Sequence, residues 1–201
     1  NWAILHGYSF DYVAMGKSPS HPVNMIGLSH VMKWCNARSE KEGLTPAYYT
    51  STSKSGVYRT GVIYVQNDWV KWNAGYRVPT SAEWEKAARG GVGGHRFPWS
   101  NVQTITHSQA NYMSDLMYSY DISTTRDFHP TFNYRVPYTN PVGYFEPNSF
   151  GLYDMAGNVM EWCWDRYDSA YYSSSPSSDP HGPNSGDFRV LRGGSWYSYA
   201  F

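Results

Sequence analysis

Any core this chain builds has to be made largely of rings. Its 201 residues include 9 Trp, 19 Tyr and 8 Phe, but only eleven Ile and Leu. So few aliphatic side chains would signal disorder if net charge were high and aromatics rare. Here the formal net charge is zero and aromatics make up 18%. The expectation is therefore an ordered protein with an aromatic core. The length suits a single domain. Neutral charge argues against a nucleic-acid binder that relies on phosphate contacts. No apolar run approaches the length of a membrane span.

With 18 Gly and 12 Pro, irregular structure should dominate. Two helices are legible. One covers residues 30–42, with Ser29 as N-cap, Gly43 as its stop and Val31, Trp34, Cys35 and the Arg38 stem on one face. The other opens at Thr80-Ser81-Ala82-Glu83, a capping-box pattern, buries Trp84, Ala87 and Ala88, and ends at Gly90-Gly91. Between them, Val57-Tyr58-Arg59 and Val62-Ile63-Tyr64-Val65 flank Thr60-Gly61, which predicts a hairpin. Residues 92–147 show no period, and a stretch of that length is functional or needs an ion to order it. Residues 168–187 predict a surface excursion, and residues 188–196 a returning strand.

Three segments carry more information than the composition. They are Gly75-Tyr76-Arg77-Val78-Pro79-Thr80-Ser81-Ala82-Glu83-Trp84-Glu85-Lys86-Ala87-Ala88-Arg89-Gly90-Gly91; Asn148-Ser149-Phe150-Gly151-Leu152-Tyr153-Asp154-Met155-Ala156-Gly157-Asn158-Val159-Met160-Glu161-Trp162; and Arg189-Val190-Leu191-Arg192-Gly193-Gly194-Ser195-Trp196. In this order they closely resemble the formylglycine-generating enzyme, or sulfatase-modifying factor, family. The resemblance extends over nearly the whole chain from Pro22. It implies an α+β class: a C-type-lectin-like fold of the formylglycine-generating-enzyme type, with two helices, a small antiparallel sheet and high loop content. It implies one such domain over residues 1–201, lacking its C-terminal end.

The family's oxidases bind copper through two cysteines placed after the Arg-Gly-Gly-Ser-Trp segment. Soft Cu(I) wants thiolates, and the hydroxyls of Tyr197 and Ser198 cannot replace them. The last cysteine here is Cys163, so copper is not expected and the domain is expected to be non-catalytic. The alternative is a fragment of a formylglycine-generating oxidase whose cysteine-bearing end lies outside this sequence. By the same resemblance, Asp154, Gly157, Val159 and Glu161 imply a structural calcium site. The chemistry is consistent, because calcium takes carboxylate and backbone carbonyl oxygens alike. On the residues alone, Asp154 and Glu161 serve equally as backbone caps or as partners of arginine. A second family site would start at Asn111-Tyr112 and draw on Asp115, Asp121 or Asp127.

Within the family, the chain also resembles the variable proteins of diversity-generating retroelements, which use this C-terminal region as a ligand-binding surface. Their diversification replaces adenines in template Asn codons, and Tyr197, Ser198, Tyr199 and Phe201 are all reachable that way. Tyr offers rigid amphipathic area and Ser adaptable hydrogen bonding. The resemblance therefore implies a protein or small-molecule ligand on Tyr197, Ser198, Tyr199 and Phe201, with Trp196 as a buried anchor, in a bacterial, extracellular or cell-surface setting. A frayed aromatic end is the plainer alternative, and a structural subunit a third. The seven histidines show no metal spacing and suit surface or capping roles. Ser195 lacks a nucleophile elbow, and Cys35 and Cys163 suit buried thiols.

Overall fold

A computed structural model describes residues 2–11, 14–99 and 102–200. Its regular elements are α1 (Trp2–Leu5), α2 (Leu28–Lys41), α3 (Ser81–Arg89), β1 (Glu161–Arg166) and β2 (Arg189–Arg192), with 3-10 turns at Asn67–Trp69 and Tyr171–Ser173. β1 and β2 pair as a two-stranded antiparallel sheet. The described residues of 92–147 contain bends, turns and isolated bridges and no helix or strand, as their lack of period predicts.

The chain forms two compact units. The first comprises the described residues up to Met15, Met25–Thr80 and Trp164–Arg189. Its core is aromatic: Tyr48, Tyr58 and Trp164 are essentially inaccessible. Tyr48 stacks on Trp164 at 5.6 Å between centroids, and Trp72 meets Trp164 edge-on at 5.4 Å. The α2 helix ends as its sequence predicts. Gly43 takes φ 73°, its amide donates to the Glu40 carbonyl, and the Leu44 amide donates to the Ser39 carbonyl at 2.8 Å. That is a complete Schellman closure of the last turn.

The buried face of α2 differs from the expected one. Trp34 and Arg38 are exposed and lie against each other, while Lys33, Asn36 and Ser39 are fully buried. Asn36 explains the choice. Its Nδ2 donates to the Tyr48 and Tyr58 carbonyls, and its Oδ1 accepts the Ala47 and Tyr48 amides. One side chain thus satisfies four backbone groups of a segment with no ladder of its own. The predicted hairpin is also absent. Val57 pairs with Tyr49, Tyr48 pairs with Val70, and residues 62–66 are irregular.

The second unit comprises Gly16–Asn24, Ser81–Cys163 and the described residues from Val190 on. Its described residues include two small cores. Trp84, Ala88 and Cys163 pack with Met155 and Val190; Ile105, Ala110, Tyr112 and Ala200 pack with Phe97, Trp99 and Tyr120. The C-terminus of α3 is closed by a loop side chain. Asn148 Nδ2 donates to the Ala87 and Ala88 carbonyls, while its Oδ1 accepts the Phe150 and Leu152 amides.

Candidate functional site

The segment from Asp154 to Glu161 is folded by contacts only its own residue types permit. Gly157 sits at φ 79°, and a Cβ there would meet the Asn111 carbonyl oxygen at 2.2 Å. Asn158 is buried, its amide donating to the Asn111 carbonyl and its carbonyl accepting the Trp196 amide. The Gly157 amide donates to the Gly193 carbonyl at 2.7 Å. The second and third sequence motifs are therefore joined backbone to backbone.

This folding brings the two acids into electrostatic contact. Asp154 accepts from Asn140 Nδ2 at 3.0 Å and from the Gly143 amide at 2.8 Å. Glu161 Oε2 accepts from Trp84 Nε1 at 2.6 Å. Burial pushes the Glu161 carboxyl above its ordinary range; the Trp84 bond opposes this and the Asp154 charge adds to it. Among the described residues neither acid has a cationic partner, so the arginine-pairing alternative is not realised. The buried Asn140 Oδ1 has no hydrogen-bond partner. Two acids without a cationic partner, one of them bonded to an Asn140 side chain whose own oxygen is unpartnered, are donor types that a hard divalent cation takes. No three His, Cys, Asp or Glu side chains converge among the described residues, so any ion here would also draw on carbonyls.

The residues considered for a second ion are dispersed in role. Asn111 Oδ1 is buried and unpartnered. Asp121 is buried but committed, accepting from the Tyr112 hydroxyl and from the Asp115 and Ser123 amides. Asp127 pairs through its backbone with Ser114, and the Asp115 carboxylate caps Met117. The Tyr112 carbonyl accepts from His107.

Downstream of Trp196 the chain alternates. Tyr197 is 65% and Tyr199 40% exposed, whereas Ser198 is 9% and Ala200 6%. The backbone between them is pinned: the Met113 amide donates to the Ser198 carbonyl at 2.9 Å, and the Ser198 amide to the Ser195 carbonyl at 2.9 Å. Expected on the ligand surface, Ser198 instead points inward. Its Oγ accepts the Ser195 amide and meets Ser195 Oγ at 3.1 Å. Phe201 lies outside the described residues. Trp196, expected to be buried, is half-buried, held against Tyr138 and Phe128. Tyr197 leans on Phe128, and Tyr199 faces Tyr118.

Ser198, Tyr199 and Ala200 of the same tail line a groove of about 440 Å³ together with Trp84, Glu85, Ala88 and Arg89 of α3. No sequence pattern announces this groove, because its lining comes from segments between residues 84 and 200.

The chain matches the model of the sulfatase-modifying factor enzyme 1-like domain over residues 8–201. It belongs to that family. It is 42% identical over 128 residues to the formylglycine-generating enzyme of Streptomyces coelicolor, covering 64% of this chain and 38% of that protein. It is 32% identical over 202 residues to the chaperone protein LppX of Paenibacillus barcinonensis, covering 92% of this chain and 64% of that one. Among solved structures, Treponema denticola variable protein 1 superposes with a TM-score of 0.62 at 28% identity, over 96% of this chain and 67% of that one. The chain thus spans less than two thirds of either curated relative.

As a sulfatase-modifying factor-like domain, the chain joins its second and third motifs backbone to backbone at Gly157 and Gly193 and carries no thiol at residues 197–201. Cys35 and Cys163 are both buried and in no disulfide, and burial pushes the Cys35 thiol up to about 11, far from thiolate chemistry at neutral pH. The histidines correct the surface expectation: His30, His107 and His129 are buried.

Proposed function

We propose that this domain is a non-catalytic binding module that recognises its ligand through the surface bearing Tyr197 and Tyr199. The alternation in the tail carries the reading. Two tyrosines project from a backbone that Met113, Ser195 and Asn158 hold in place, while Ser198 and Ala200 turn inward. Side chains can change on such a surface without disturbing what holds it. The likeness to a variable protein supports the same reading. The test is selection: proteins captured by the parent domain are lost when Tyr197 and Tyr199 both become Ala, at unchanged thermal stability. Undiminished capture by that variant sinks the reading.

Identity to a formylglycine-generating enzyme favours a second reading, in which the domain belongs to an oxidase. Copper-supplied protein incubated with a cysteinyl peptide separates the two. Aldehyde formation, read by mass spectrometry, would establish the oxidase; an unchanged peptide is the outcome expected of a binding module.

A structural calcium ion belongs to the proposal. Asp154 and Glu161 would supply the carboxylates and Gly157 and Val159 the carbonyls. The ion would cancel the repulsion between two acids that the fold forces together, and fix the loop on which Gly193 and Trp196 depend.

A further inference from the structure

We propose that the groove beside the tail binds a small organic acid, with an apolar body in its floor and a carboxylate on Arg96. The proposal rests on the reading of this unit as a binding module and names the chemistry that module takes.

The groove's volume, about 440 Å³, falls in the range of small-molecule sites. Phe97, Ile105, Met155, Met160 and Leu191 supply apolar lining. The charges around them are one-sided. Arg89, Arg96 and Arg192 line the groove, and Glu85 is the only acid among its described lining residues. That acid is already used: Glu85 Oε1 takes Arg89 at 2.5 Å and Oε2 takes Arg192 at 3.3 Å. Arg89 also donates to the His95 carbonyl, and Arg192 to Ser81 Oγ. Both guanidiniums are committed.

Arg96 differs. It has no carboxylate partner among the described residues. Its guanidinium lies over the Tyr120 ring at 4.0 Å. Stacking occupies the face of a guanidinium and leaves the N–H groups on its edge free to grip a carboxylate. Its backbone is steadied by Gln103 Oε1, which accepts the Arg96 amide at 2.9 Å. The result is a stacked cation among the lining residues of a groove in which three arginines share one acid. Such a cleft concentrates anions. A neutral apolar ligand gains only the floor, and an inorganic anion only the rim.

The probe is 2-naphthylacetate against its neutral counterpart 2-naphthylacetamide, titrated calorimetrically into the intact chain. The acid should bind about tenfold tighter than the amide, a difference of about 1.4 kcal/mol, and added salt should erode that margin. Arg96→Gln, checked for an unchanged melting temperature, should reduce the acid to the level of the amide and leave the amide unaffected. Tyr197→Ala, which lies outside the groove, should leave both alone. A failed tyrosine reading would therefore show in protein capture and not here. Equal affinity for acid and amide, full affinity in Arg96→Gln, or no binding of either compound overturns the proposal. Binding of acetyl-Phe-Glu-Phe-amide with none of naphthylacetate overturns it too, assigning the groove to a segment of a partner chain.

Discussion

The His129 ring donates from Nε2 to the His107 carbonyl at 2.7 Å and accepts the Thr131 amide on Nδ1. His107 in turn donates from Nε2 to the Tyr112 carbonyl and meets the Thr125 hydroxyl with Nδ1. A carbonyl can only accept, so both rings carry a proton on Nε2, and the Thr131 amide on Nδ1 holds His129 neutral. Burial pushes both below the ordinary histidine value. The charged groups acting on them are Asp121, which favours a charged His107, and Arg126 and the neighbouring ring, which oppose charge. The unfolded chain therefore takes up protons first. Stability should fall as pH drops below about 6.5 and level off once the lowered native values are passed. Thermal melts across that window check this, and His129→Gln should flatten part of the slope. Glu161 works in the opposite sense. Its raised carboxyl favours the folded state as it protonates, so its effect is stabilising at low pH and lost as pH rises. For the same reason Glu161→Gln should tolerate chelator better than the parent does. The parent should melt lower in EDTA than in calcium, and the variant should change little; a parent indifferent to EDTA removes the ion from the account. Gly157→Ala meets both a forbidden φ and the Asn111 carbonyl, and should cost about 2–4 kcal/mol by denaturant titration.

At the scale of elements, legibility follows the range of the interaction. The start of α3 after Thr80 and the closure of α2 at Gly43 were legible because caps act within a few residues. The loop from Asp154 to Glu161 was legible as a motif, since its two acids and its glycine lie within eight positions. The predicted hairpin failed because Tyr49, not the sequence neighbour, is the partner of Val57, and a side chain on α2 settles that register. Asn36 reaches partners 11 to 22 residues away, a distance no local pattern encodes. A polar residue on the buried face of a helix also contradicts the apolar periodicity used to find that face. Asn36→Ala should strand the Tyr58 carbonyl and the Ala47 and Tyr48 amides, at a cost of about 3 kcal/mol or more. Chemical denaturation reads this directly, and a loss below about 1 kcal/mol would mean that those groups find other partners.

Across the whole molecule, the aromatic composition is distributed by exposure. Rings such as Tyr48, Tyr58 and Trp164 form cores, while Tyr197 and Tyr199 are presented outward from a backbone held by other residues. The groove could not be read from the sequence because it assembles from residues far apart in the chain, whereas the tail tyrosines were named from the resemblance and only their alternation with an inward Ser198 and Ala200 was not. The separation of scaffold from presented side chains is open to one direct measurement. Positions 197, 198, 199 and 200 are randomised singly on a display platform and scored for protease resistance. The account predicts broad tolerance at 197 and 199 and collapse for most substitutions at 198 and 200. Uniform sensitivity at all four positions, or tolerance at the inward pair, would contradict it.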